Sequence, residues 1–236
     1  MNRYVNLFFG NSPGARICSQ SLTLCLYSNT ISINIFASLG IKASGRTKKL
    51  PNSYRNSKRV GEFAQFIMPK KLKELSKSQD EFRFPEKYIG MHGSINYVIA
   101  KSKIEEYDEI LKIIQEELKN STKGKSFLVL FQRNPWNDRN NKFFSQAMKY
   151  DLFENFLDTC TSSGYGIVVT SLRKAKGLEA DIVFIPDLEQ YYYQDRQLLY
   201  VGMTRTKNKL ILSSTEPSQP KSLVEEIQKY PDWQEE

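Results

Sequence analysis

Three apolar runs in the last third of the chain, "GIVVTS", "DIVFIP" and "KLILSS", are separated by segments with helical or turn character. Runs this continuous do not alternate polar with apolar, so strands built from them are buried on both faces. Strands of that kind, interleaved with helices, pack as a parallel sheet covered on each side. The expected fold class is therefore α/β, a mainly parallel sheet with helices on both faces. "FLVLFQ" (127–132) adds a fourth buried strand.

The helices between them are marked by caps. Ser57 caps a helix whose apolar face is Val60, Phe63, Ala64 and Ile67, ended by Pro69. Ser102-x-x-Glu105 is a capping box, and Ile104, Tyr107, Leu111, Ile114 and Leu118 form one stripe behind it. A helix is expected over about 142–160 from Phe143, Phe144, Ala147, Leu152, Phe153, Phe156 and Leu157. "QDRQLLYVGMTRTK" reads as helical. Residues 70–100, rich in lysine and holding Pro85 and Gly90, read as a mixed connection. Residues 1–45 show no sustained period.

Composition excludes several classes. Cys18, Cys25 and Cys160 are odd in number and form no C-x-x-C pair, and His92 is the single histidine. This argues against a disulfide framework or a zinc site and fits a reducing cytoplasm. Val5 to Phe9 is too short for a secretory signal, and Thr23, Ser28, Asn29, Thr30, Ser32 and Asn34 interrupt residues 22–41, so neither a leader nor a membrane span is expected. The net charge of +8 concentrates in residues 42–87, with 13 Lys or Arg against 5 Asp or Glu. Such a segment suits a polyanion, and equally a solvated face.

Ligands of open parallel sheets bind beyond the carboxyl ends of the strands. Ser171, Arg173, Lys176, Gly177 and Glu179 follow the strand "IVVT", Arg205 lies near a helix end, and Arg55 follows Tyr54 just before a helix start. Arginine's planar fork suits phosphate oxygens.

In chain order, "LPNSYRNSKRVGEFA", "TSLRKAKGLEADIVFIP" and "DRQLLYVGMTRTKNKLIL" resemble motifs IV, V and VI of superfamily-one DNA helicases of the UvrD, Rep and PcrA type. The resemblance spans roughly residues 40–215. It implies the second RecA-like domain of such a motor over 41–236, preceded by an atypical extension over 1–40. In that family this domain closes over ATP and magnesium held mainly by the first. The resemblance then implies that Tyr54 borders the adenine, that Arg55 and Arg205 reach the γ-phosphate as arginine fingers, and that Glu179 touches the ribose. Lys176 and Gly177 would shape that loop. Ser171 and Arg173 stand where the family usually has Thr and His in contact with single-stranded DNA, and Gln197 stands where it often has Arg. Tyr191, Tyr192 and Tyr193 suit a surface or packing role better than base stacking.

Gly124-Lys125-Ser126 has the tail of a phosphate loop, but residue 119 is Lys where a glycine is required, and the continuation is strand-like. Neither Asp80-Glu81 nor Asp108-Glu109 ends an apolar strand, so no magnesium-holding pair is evident. The expectation is half of a DNA helicase, partnered by single-stranded DNA and by a separate phosphate-loop domain or protein, and without ATPase activity of its own. The alternatives are a non-catalytic nucleic-acid-binding or partner-binding RecA-like module, or a truncated gene remnant.

Overall fold

The computed structural model describes residues 52–70, 84–85, 87–89, 93–120, 124–138, 141–158, 166–216 and 222–231. The extension expected over 1–40, the three cysteines, His92, Asp80-Glu81 and most of the lysine-rich stretch after Pro69 lie outside these residues.

Among the described residues there are eight strands: β1 (Asn52–Ser53), β2 (Lys87–Tyr88), β3 (Ser94–Ala100), β4 (Ser126–Phe131), β5 (Phe156–Leu157), β6 (Gly166–Ser171), β7 (Ala180–Ile185) and β8 (Thr206–Thr215). Five helices accompany them: α1 (Lys58–Phe66), α2 (Lys103–Lys119), α3 (Lys142–Lys149), α4 (Arg196–Met203) and α5 (Val224–Ile227). Six strands form one sheet in the order β3-β8-β7-β4-β6-β5, and every neighbouring pair is parallel. β1 and β2 form a separate short parallel pair. This is the mainly parallel α/β sheet expected from the apolar runs.

Alternation along β4 divides the core. Phe127, Val129 and Phe131 join Ile110, Leu111 and Ile114 of α2 and Phe143 and Ala147 of α3 in one cluster. Leu128 and Leu130 point to the opposite face, where α4 lies. A Cβ placed on Gly202 of α4 would meet Leu172, Leu130 and Ile185. That glycine is a close-approach position that lets α4 settle onto β4 and β7. α1 packs beside α4 and against β3 and β8, so helices cover both faces of the sheet. The described residues between 70 and 165 all belong to these strands and helices or their connections. No helix among the described residues is long and apolar enough to cross a membrane.

Four local expectations are corrected. Residues 94–100, expected as part of a connection, are the edge strand β3, paired along its whole length with β8. An edge strand keeps polar positions such as Asn96, which blurred the pattern. The helix expected over 142–160 stops at Lys149, because Asp151 adopts a left-handed backbone at φ 55°. Asp tolerates that region better than most residues. The apolar residues beyond the break form a short helical turn at Phe153–Asn155 and the edge strand β5, and the ring of Phe156 stacks on Phe143 at 5.6 Å. On α2 the buried stripe runs through Tyr107, Ile110, Leu111 and Ile114, whereas Ile104 and Leu118 are exposed. Finally, β8 begins at Thr206, inside the segment expected to be helical.

Ser57 caps α1 as expected, its Oγ accepting from the Val60 N–H at 3.3 Å. Ser102 does the same for α2 through Glu105 N–H, but the Glu105 carboxylate accepts from Lys101 N–H rather than from the cap itself. Gly124-Lys125-Ser126 leads into β4, not into a helix, and Lys125 pairs with Glu117 at 2.6 Å. A phosphate loop is therefore absent at that position.

Candidate functional site

The amino ends of β7 and β8 lie side by side, Ala180 opposite Thr206. Just upstream, Arg205 ends the turn that follows α4, its N–H donating to Gly202 O and its carbonyl accepting from Ala180 N–H at 3.1 Å. This backbone bond holds Arg205 next to Glu179. Arg55, on the lead-in to α1, places its Nε 2.6 Å from Glu179 Oε1. Both side chains are partly exposed, so the pair contributes about 0–1 kcal/mol to stability. Tyr54 beside it is 66% exposed.

Asn56 joins these segments. Its Nδ2 donates to Thr204 O at 3.0 Å and to Thr206 O at 2.8 Å, the two carbonyls flanking Arg205. Asn56 is buried, as is Arg205, whose Nε donates to Val201 O at 3.0 Å. The chain entering β3 presses on the same junction. A Cβ on Gly93 would lie 2.2 Å from Ser57 Oγ and 2.5 Å from the Asn208 carbonyl. Residues around 54–57, 93, 179–180 and 204–208 thus meet at one end of the sheet. Of the residues that the sequence brought forward, Arg55 and Glu179 are in contact, Tyr54 adjoins Arg55 in the chain, and Arg205 is joined through its backbone to the residue after Glu179 while its side chain is buried. Sequence reasoning missed Asn56, for which the one available signal was a position directly after Tyr54-Arg55.

The loop after β6 separates residues that the sequence placed together. β6 and β7 are parallel members of one sheet, so the chain must return from the carboxyl end of one to the amino end of the other. At about 3.3 Å per residue, these six-residue strands put the two ends about 17–20 Å apart. Ser171 is buried at the carboxyl end, where Leu172 N–H donates to Phe131 O at the end of β4. Its carbonyl accepts from the N–H groups of Lys174 and Ala175, forming a tight turn. Leu172 and Ala175 are buried and anchor the loop, while Arg173, Lys174 and Lys176 face solvent. Gly177 takes φ 85° with no atom near its would-be Cβ, so backbone freedom rather than space calls for glycine. Glu179 then reaches the amino end. The expectation of one constellation beyond the carboxyl end is corrected: Ser171 and Arg173 lie at that end, and Glu179, Arg55 and Arg205 lie at the other.

The carboxyl ends of β7 and β8 hold a buried charge cluster that sequence reasoning missed. Lys103 Nζ contacts Asp187 Oδ1 at 2.6 Å, Glu106 Oε2 at 2.8 Å and the Glu189 carboxylate. Asp187 sits at φ 62° directly after β7 and Pro186, where it also accepts from Tyr107 Oη at 2.9 Å. Glu106 accepts from Asp187 N–H at 2.9 Å and from Ser213 Oγ at 2.7 Å. Burial, reinforced by the neighbouring Asp187, pushes the Glu106 carboxyl up, and burial does the same to Asp187. Burial also disfavours the Lys103 ammonium, but Asp187 and Glu106 outweigh it and raise the lysine. The three acids have ligand atoms within 4.8 Å of one another, spacing that suits a cation, and the lysine ammonium supplies that charge.

At the start of α4, the ion pair belongs to Arg196. Its guanidinium donates to Glu226 and to the Ile67 carbonyl, tying α4 to the end of α1 and to α5. Tyr191 is fully buried, whereas Tyr193 is exposed with its ring 4.7 Å beneath Arg196, the packing and surface roles expected for that run.

Residues 166–213, from β6 into β8, match the family model of the UvrD-like helicase C-terminal domain. A similar solved structure is the C-terminal domain of a possible DNA helicase from Lactobacillus plantarum WCFS1, 17% identical, with a TM-score of 0.45, covering 71% of this chain and 91% of that one. No curated protein matches the chain by sequence. The matched stretch holds the second and the third of the three motifs that resemble that family.

Proposed function

We propose that the chain serves as the second motor domain of a UvrD-like, superfamily-one DNA helicase, with nucleotide at the amino ends of β7 and β8 and single-stranded DNA at the carboxyl end of β6. The observation that carries this reading is the meeting of three distant segments: the Arg55–Glu179 pair, the Asn56 bonds around Arg205 and the Ala180–Arg205 bond. In this reading Tyr54, 66% exposed, borders the base of ATP. Arg55 exchanges Glu179 for phosphate oxygens, and Glu179 is released toward the ribose. Arg205 contributes fixed positive charge from within the turn. Arginines of this kind stabilise charge developing on the γ-phosphate, provided another element has positioned that phosphate with magnesium. A separate phosphate-loop domain or protein supplies it.

At the other end, Arg173, Lys174 and Lys176 are exposed cations of the loop, with Lys174 paired to Asp158, and buried Ser171 shapes their turn. They would neutralise backbone phosphates of a single strand. The alternative, a nucleic-acid-binding module without turnover, is favoured by the burial of Arg205.

Two assays on the purified chain test the proposal. Anisotropy of a labelled oligo-dT is expected to show weak binding that declines as salt rises, with Arg173→Ala reducing both the affinity and the salt slope. Steady-state phosphate release is expected to stay at background with or without the oligonucleotide. Binding indifferent to salt and to Arg173 sinks the nucleic-acid half. DNA-stimulated release that disappears in Arg205→Ala reveals a complete active site and sinks the half-motor reading.

A further inference from the structure

We propose that Asn56 is a positioning residue that sets Arg205 in register with Arg55. The proposal rests on the reading above, in which both arginines face one nucleotide. Asn56 is covalently adjacent to Arg55, and its single amide nitrogen donates to the carbonyls on either side of Arg205, at 3.0 and 2.8 Å. It lies 148 and 150 residues away from those partners in sequence, so the bonds join two independent segments. A carboxamide has two N–H donors on one nitrogen, enough for both carbonyls at once. Alanine has no donor, serine has one, and aspartate at neutral pH has none.

The turn that Asn56 clamps is also tied back to α4, where Thr204 N–H donates to Tyr200 O and both the Thr204 hydroxyl and Arg205 Nε–H donate to Val201 O. Arg205 N–H bonds Gly202 O within its own turn, and Arg205 O accepts from Ala180 N–H across to β7. None of these reaches the Arg55 segment. The Arg55–Glu179 pair does, but it joins partly exposed side chains that solvent competes for. The buried amide is thus the rigid link between the two arginines, and the exposed ion pair is the adjustable one. A carbonyl left unpaired inside this junction would cost more than the bond itself contributes, so losing the amide shifts the turn rather than leaving it in place.

The test uses uniformly nitrogen-15-labelled full chain without nucleotide, so it can fail while the ATP reading stands, and the reverse. The arginine Nε–H resonance of Arg205 is assigned by its loss in Arg205→Lys. In Asn56→Ala and Asn56→Asp it is expected to shift and to exchange with solvent at least about tenfold faster, the scale of losing one or two hydrogen bonds. Asn56→Ser, with one donor, is expected to fall between these and the parent. Arg196, held by Glu226 and Ile67 at the far end of α4, is the internal control and should keep its signal. The proposal is overturned if Arg205 exchanges within twofold of the parent in the alanine and aspartate chains. It is equally overturned if Arg196 and Arg205 lose protection together in all three variants, which is the behaviour of a general packing residue.

Discussion

Replacing Lys103 with methionine keeps the aliphatic stem and removes the ammonium that faces Glu106, Asp187 and Glu189. In the folded chain that ammonium lies within 2.8 Å of Glu106 and 2.6 Å of Asp187, and the lysine side chain is 26% exposed while Glu106 is fully buried. One such contact is worth about 4 kcal/mol at 4 Å under an effective dielectric near 20. The acids repel one another, and a buried carboxyl takes up a proton when its partner is lost, so the attractions do not simply add. Breaking a buried ion pair costs about 3–5 kcal/mol. For a domain of this size each kcal/mol moves the melting temperature by about 2–4 °C, giving a drop of about 6–20 °C at pH 7. The pH dependence identifies the cause. Carboxyls whose folded pKa is raised bind protons more tightly when folded, so their stabilisation is full below the unfolded pKa and is lost as pH rises through the folded one. Without Lys103 those values rise further, and the deficit should grow from pH 4 to pH 7. Calorimetric or circular-dichroism melts of both chains across that range measure it. A melting temperature within about 2 °C of the parent at pH 7, or a deficit that ignores pH, refutes the reasoning.

Two further outcomes follow from the same geometry. Asp187→Asn keeps a residue that tolerates φ 62° and removes a carboxyl that burial has pushed up, so the variant should gain stability relative to the parent as pH rises from 4 to 7; urea midpoints at both pH values report it, and a relative loss contradicts it. Gly93→Ala drives a methyl into Ser57 Oγ and the Asn208 carbonyl, and should cost about 1–3 kcal/mol in urea unfolding, whereas an unchanged midpoint would show that this junction yields easily.

The parts of the fold that were legible in sequence are those with a single dominant signal. β4, β6 and β7 are apolar at nearly every position, and no other element accommodates that pattern well. β3 was hidden because it lies at the sheet edge, where polar residues such as Asn96 are tolerated. The end of α3 was hidden because the same phenylalanine spacing continues across the Asp151 break into β5. Among site residues, Arg55, Glu179 and Arg205 were legible through motif order, but their end of the sheet was not. The loop from Ser171 to Glu179 reads as one motif, yet a parallel sheet forces its two ends apart. Asn56 and the Lys103 cluster were invisible for a shared reason. Apart from the Lys103–Glu106 contact along α2, the partners that complete them are backbone carbonyls or acids 80 or more residues away, and each residue alone looks like a solvated polar group.

The central claim is that nucleotide belongs at the amino ends of β7 and β8, away from the exposed cations that follow β6. Photo-crosslinking with 8-azido-ATP at millimolar concentration, followed by peptide mapping, addresses it directly. Labelling is expected in the peptide that holds Tyr54, next to the Arg55–Glu179 pair, and is expected to fall in Arg55→Ala. Labelling confined to the peptides of the 172–178 loop, with the Tyr54 peptide unmodified, would contradict it.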